Sequence, residues 1–158
     1  MIKILFVCYG NICRSPMAEF ILKDMVKRRS IADKFLIESA ATSSEEIGNP
    51  VYYLAKEKLA SKGISCRGKQ AVQLRRDDYE RYDYIIGMES MNVRSILRIT
   101  GKDAKGKVCR LLDFTDSPRD IADPWYTRNF DITYDEIVEG CEALLEKHDF
   151  GFNTVGCK

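Results

Sequence analysis

Apolar positions along the chain follow two alternating rhythms. Residues 2–7 form a short, nearly unbroken apolar run, the pattern of a buried strand. Residues 17–27 then place Met17, Ala18, Ile21, Leu22 and Met25 on one helical face. A second strand is expected at 35–37, running into a loop at 38–43, and a helix follows at 51–59 with Gly63 set to end it. Residues 82–88 read as a third strand, and a helix at 91–99 stops at Gly101. A fourth strand is expected at 108–112, then a long loop at 114–130. The last helix, 132–148, carries Ile137, Val138, Cys141, Leu144 and Leu145 on one side. Strands that alternate with helices make βαβ units with right-handed crossovers. The expected fold is therefore a single α/β domain over 1–158, with a mainly parallel four-stranded sheet flanked by helices.

Composition changes this picture little. Of 158 residues, 45% are hydrophobic and 31% charged, which suits an ordinary globule and argues against disorder. The net charge of +1 gives no bulk electrostatic reason to expect nucleic acid or an anionic membrane as a partner. No apolar run approaches the ~20 residues of a membrane span. The apolar opening is too short for a signal peptide. The six cysteines include no Cys-x-x-Cys pair, and His148 is the one histidine, so neither a zinc site nor a disulfide framework is expected. Cys66, Cys109, Cys141 and Cys157 read as ordinary thiols, and a reducing cytoplasm as the location.

One segment carries chemistry. Cys8 ends the first strand, and Tyr9, Gly10, Asn11, Ile12 and Cys13 separate it from Arg14, Ser15 and Pro16. Pro16 suits the first turn of a helix. A strand-loop-helix connection aims backbone N–H groups into one concavity where the helix dipole favours an anion. A thiol at that rim ionises readily and faces whatever phosphate binds. In a parallel α/β sheet the loops at the carboxyl ends of the strands form the site. The 114–130 loop reaches the same edge with Asp123, Pro124, Trp125 and Tyr126. Cleaving a phosphate ester with a thiolate needs a nucleophile, a cation for the phosphoryl oxygens and an acid for the departing oxygen. Cys8, Arg14 with the loop amides, and Asp123 match these three needs. The plain alternative makes Asp123 a turn residue before Pro124, with the two aromatics covering core.

The Cys-x5-Arg-Ser segment after the first strand, Pro-Met-Ala-Glu behind it and the late Asp-Pro-aromatic-Tyr resemble the low-molecular-weight protein tyrosine phosphatases. Ser39-Ala40-Ala41-Thr42-Ser43, Ile47-Gly48-Asn49-Pro50 and Tyr82-Asp83-Tyr84-Ile85-Ile86-Gly87-Met88 extend the likeness along nearly the whole chain. The resemblance implies hydrolysis of protein phosphotyrosine by Cys8 through a phosphocysteine, with Arg14 as a bidentate clamp. It implies that Ser15 donates to the thiolate, that Asn11 holds the loop and that Asp123 serves as acid, then base. Cys13 would be the neighbour able to close a reversible disulfide with Cys8. Its substrate would be a phosphotyrosine-containing protein. No metal or cofactor enters this chemistry, so activity should survive chelators. A monomer or a weak homodimer is expected.

The chain departs from the family at three places. A histidine stretch of the His-x-Ala-Arg type is implied, but 68–73 reads Gly-Lys-Gln-Ala-Val-Gln. The wall aromatic ahead of Ile-Gly-Asn-Pro is Glu45, beside Glu46, and Tyr9 stands in place of an aliphatic residue. These changes suggest that Tyr9, Trp125 and Tyr126 grip the substrate ring, while Glu45 favours basic residues beside the phosphotyrosine. Three alternatives compete. An arsenate reductase of this fold would need two more cysteines on a mobile segment after the third strand, and only Cys109 lies between Met88 and the 114–130 loop. A protein-arginine phosphatase would carry threonine where Ile12 stands. A phosphotyrosine-binding module without turnover would need neither Cys8 nor Asp123.

Overall fold

A computed structural model describes residues 1–149. Strand β1 (Ile2–Cys8) is followed by helix α1 (Arg14–Arg28), β2 (Phe35–Ala41) and α2 (Tyr53–Ser61). Next come a short α3 (Asp78–Arg81), β3 (Tyr84–Gly87), α4 (Ser90–Thr100), β4 (Val108–Arg110), a one-turn α5 (Pro124–Thr127) and the long α6 (Phe130–Asp149). The four strands are all parallel, in the order β2-β1-β3-β4. After β2 the chain crosses to the other side of β1, so the topological switch point lies at the carboxyl end of β1. That crevice is where ligands bind in open parallel sheets.

Alternation along β1 decides which way each side chain points. Ile4, Phe6 and Cys8 face the larger core, shared with Met17, Ile21 and Leu22 of α1 and Ile137 and Leu144 of α6. Leu5 and Val7 face the smaller core, with Tyr79 of α3 and Ile96 of α4. Burying side chains such as Phe6 or Leu22, both at 0% exposure, contributes roughly 1.5–3 kcal/mol each. Cys8 thus leaves the sheet on the side where α1 begins. No helix among the described residues is long and apolar enough to cross a membrane.

The expected elements are all present, with shifted ends. β2 continues to Ala41 through residues expected as loop, because Ser39, Ala40 and Ala41 pair with Phe6, Val7 and Cys8 of β1. Ladder pairing with a central strand overrides their weak strand preference. β3 and β4 are shorter than expected, and residues Leu111–Phe114 turn into a 3-10 helix. Cys8, Cys13, Cys66 and Cys141 carry free thiols. Cys109 is disulfide-bonded, against the expectation of an ordinary thiol, and Cys157 lies outside the described residues.

Candidate active site

The connection from β1 to α1 wraps the Cys8 sulfur. The backbone N–H groups of Asn11 and Ser15 approach Sγ at 3.3 and 3.5 Å, and the Ser15 hydroxyl lies 3.0 Å away. No side chain caps α1 at Cys13, and its first turn holds no acidic residue, so the helix dipole is left to act on an anion. Asn11 makes the turn in the left-handed region at φ 58°, uncommon for a residue with a β-carbon. Its amide compensates. Nδ2 donates to Ser15 Oγ at 2.7 Å and Ser39 Oγ at 2.9 Å, while Oδ1 accepts from the Val72 N–H at 3.1 Å.

Arg14 is 2% exposed at the start of α1. Its Nη1 donates to Glu89 Oε2 and, at 2.8 Å, to the Ile121 carbonyl, while Nη2 lies 3.3 Å from Asp123 Oδ2. Burial works against its charge, but the charges of Cys8, Asp123 and Glu89 outweigh it and hold its pKa above the usual value. Glu89 is aimed by a tight turn. A β-carbon at Gly87 would lie 2.9 Å from the Asn92 β-carbon, and Asn92 Oδ1 accepts the N–H groups of Met88 and Glu89. Asp123 is the N-cap of α5, accepting the Trp125 N–H at 3.0 Å with Pro124 behind it. The turn reading and the pairing with Arg14 therefore both hold for this one carboxylate.

A pocket of about 150 Å³ opens between these parts, lined by Cys8, Tyr9, Gly10, Ile12, Cys13, Arg14, Glu45, Glu46, Asp123, Trp125 and Tyr126. At its mouth the Tyr9 hydroxyl donates to Glu45 Oε1 at 2.6 Å, which raises the Tyr9 pKa. Beneath that contact, Thr42 and Ser43 donate their N–H groups to the Cys8 and Tyr9 carbonyls. Trp125 packs on Tyr52 at 4.9 Å, and the Arg128 guanidinium sits over both rings. Burial, with the charges of Cys8 and Asp123, pushes the Cys13 thiol up to about 12, so it stays protonated at neutral pH.

The family profile described as "Low molecular weight phosphotyrosine protein phosphatase" matches residues 3–150. The chain is 40% identical to the low molecular weight protein-tyrosine-phosphatase YfkJ of Bacillus subtilis, over 92% of its own length and 94% of that protein's. It is 39% identical to the low molecular weight phosphotyrosine protein phosphatase of Gallus gallus, with the same two coverages. The crystal structure of YfkJ superposes with a TM-score of 0.92 at 38% identity, covering 97% of this chain and 98% of that one. This chain belongs to the low molecular weight phosphotyrosine protein phosphatases. It is a phosphatase by family, and its all-parallel α/β sheet is the fold of its relatives.

Within this phosphatase the residues singled out by sequence divide into two groups. Cys8, Tyr9, Gly10, Ile12, Cys13, Arg14, Glu45, Asp123, Trp125 and Tyr126 line the pocket. Asn11 and Ser15, at 1% and 0% exposure, lie beneath it instead. Sequence reasoning missed Glu89, Ser39, Glu19 and Lys69. Lys69 lies within the 68–73 stretch where a histidine was expected, and its Nζ donates to the Ser39 carbonyl at 2.9 Å and stands 3.5 Å from Glu19. The signal for it was in the sequence: a cation in the stretch where the family resemblance implied a histidine.

Proposed function

We propose that the chain hydrolyses protein phosphotyrosine in two steps through a phosphocysteine. The observation that carries this reading is the convergence of Cys8, Arg14 and Asp123 on one pocket, with Arg14 and Asp123 3.3 Å apart. In the first step the Cys8 thiolate attacks phosphorus and the ester P–O bond breaks. Asp123, as a carboxylic acid, gives its proton to the departing phenol oxygen. Arg14 and the loop amides hold the equatorial oxygens as charge builds on them. In the second step the Asp123 carboxylate takes a proton from water as that water attacks phosphorus. The S–P bond breaks, releasing inorganic phosphate and the thiolate.

Tyr9, Trp125 and Tyr126 form the walls for the substrate ring. Aromatic walls around a recessed sulfur favour a ring that carries its phosphate deep, as phosphotyrosine does, over the shorter phosphoserine. Glu45, fixed by Tyr9, favours a basic residue beside the phosphotyrosine.

Turnover of p-nitrophenyl phosphate and of phosphotyrosyl peptides by the reduced protein tests the reading, with phosphoseryl and phosphoarginyl peptides as controls. Cys8→Ser should abolish it. Asp123→Asn should slow aryl phosphates with poor leaving groups by ~10²–10⁴-fold and good leaving groups far less. An equal effect on both classes would make Asp123 a turn residue only, and a wild type that turns over none of these substrates would end the phosphatase reading.

A further inference from the structure

Arg128 stands beside the pocket mouth in a backbone conformation that long side chains rarely adopt. It ends α5 in the left-handed region at φ 59°, where its N–H bonds the Pro124 carbonyl at 2.9 Å. Glycine or asparagine is the usual residue at such a helix end, because a β-carbon is strained there. Three residues back, Trp125 lines the pocket. A strained residue beside a functional pocket calls for an explanation in its side chain.

That side chain is exposed and yet held in place. Nη2 donates to the Tyr52 hydroxyl at 2.8 Å, and Nη1 reaches the Trp125 carbonyl at 3.4 Å. The guanidinium carbon lies 5.5 Å from the Tyr52 ring centre and 5.9 Å from that of Trp125. Tyr52 is itself tied to the phosphate loop, its N–H on the Ile12 carbonyl at 2.8 Å. A guanidinium has five N–H donors, and these contacts use two of them. Glu57 and Asp131 line the same shallow groove, but neither pairs with Arg128; Asp131 is engaged by Lys58 at 2.6 Å. The field of Arg128 reaches the loop. Burial is the main reason the Cys13 thiol is raised, and Arg128 is among the charges that oppose it.

A fork fixed in advance loses little freedom when it grips a carboxylate, and its planar donors match both oxygens. The two sides of the mouth also differ in sign. On the Tyr9 side stands Glu45, with Glu46 accepting from Asn49 Nδ2 at 2.6 Å. On the Ile12 side, carried by Tyr52 and Trp125, stands Arg128.

We propose that Arg128 is a specificity-determining residue that grips a carboxylate side chain of the substrate on the Ile12 side of the phosphotyrosine, while Glu45 takes a basic one on the Tyr9 side. The mouth then reads the order of the flanking charges, not only their presence. The inference rests on the phosphotyrosine phosphatase reading and adds the substrate class: segments acidic on one side of the phosphotyrosine and basic on the other.

The test uses phosphotyrosyl peptides in an alanine background that carry Glu-Glu or Lys-Lys on the amino or the carboxyl side. The readout is kcat/KM relative to the all-alanine peptide, so an effect common to every peptide cancels. Wild type should favour Glu-Glu by about threefold to fivefold on one side and disfavour it on the other. Arg128→Gln should bring the favoured ratio to about one, mainly through KM, and Arg128→Glu should turn that side toward lysine. Arg128→Lys should keep only part of the preference, since an ammonium carries the charge without the fork. Should Arg128→Gln not fold, the partial loss in Arg128→Lys carries the test alone. A wild type that treats acid alike on both sides, or an Arg128→Gln that slows every peptide by one factor, would overturn the proposal and leave Arg128 a brace between Tyr52 and Trp125. p-Nitrophenyl phosphate has no flanking residues, so its turnover by wild type reports on the phosphatase reading separately.

Discussion

Beneath the phosphate loop, Asn11 is 1% exposed and spends both amide hydrogens on the buried Ser15 and Ser39 hydroxyls and its carbonyl on the Val72 N–H. At the mouth, Tyr9 is 49% exposed and its hydroxyl donates to Glu45. Two positions apart in sequence, these residues live under different rules. Asn11 sits in a strained backbone conformation, held because its surroundings over-determine it. Tyr9, with Trp125 at 45% and Tyr126 at 81% exposure, is packed on one side only. The underside fixes where the sulfur and arginine stand. The mouth holds fewer bonds, and two of the three positions singled out by sequence as unusual, Tyr9 and Glu45, meet there.

Asn11→Ala breaks the comparison most severely. It removes all three side-chain bonds and keeps the β-carbon in the left-handed turn. A loss of about 2–4 kcal/mol in stability is expected, from strain no longer offset and buried partners left unsatisfied. Misplacing the loop by even an ångström should lower kcat/KM for p-nitrophenyl phosphate by ~10²-fold. Thermal melts and steady-state kinetics check both numbers. A variant that melts normally and keeps activity within a few-fold would show that the backbone alone holds the loop.

The mouth should respond by changing preference instead. Glu45→Gln keeps an acceptor for Tyr9 and removes the charge. The ratio of kcat/KM for Lys/Arg-flanked over Asp/Glu-flanked phosphotyrosyl peptides should drop about twofold to fivefold, the worth of an exposed ion pair. Tyr9→Phe keeps the ring and frees Glu45, so the same ratio should fall by less. Added salt should flatten the wild-type preference toward that of Glu45→Gln. A ratio indifferent to both variants and to salt would make the contact between Tyr9 and Glu45 mere packing.

The same contrast explains what was readable from sequence. Cys8, Arg14 and Ser15 are legible because a strand end, a fixed spacing and a helix start lie within one segment. Asp123 is legible through its aromatic neighbours and Pro124. Glu19 and Lys69 are not, because their meaning lies in meeting each other across the fold, and helix periodicity treats Glu19 as an ordinary polar position. The extension of β2 was hidden for a related reason. Ser39 and Ala41 have weak strand preference, and only the ladder with β1 makes them strand. The missing histidine was visible, but the lysine that takes up the Ser39 carbonyl became visible only once β2 and 68–73 were brought together. At Tyr9 and Glu45 sequence marked both departures without showing that they are one hydrogen bond.

The loop that carries Asp123 lies between these extremes and should give the smallest effect. Asp120 Oδ1 accepts from Arg110 Nη1 at 3.0 Å and from the N–H and hydroxyl of Ser90 at 2.9 and 3.0 Å. One residue on, the Ile121 N–H bonds the Met88 carbonyl, and Ile121 in turn accepts from Arg14. Burial works to raise the Asp120 pKa, but the bonds from Arg110 and Ser90 outweigh it, and the net direction is down. A carboxylate depressed in the folded state adds stability above its unfolded pKa, about 3.9, and loses it as pH falls through the folded value. Half of the Asp120 side chain is exposed, so solvent screening keeps the contribution within about 1 kcal/mol. Asp120→Asn should therefore lower Tm by a few degrees at neutral pH, and the two melting curves should converge below about pH 4. An offset that stays constant into acid would show that the Asp120 charge contributes nothing, leaving the acid loop held by the Ile121 backbone contacts alone.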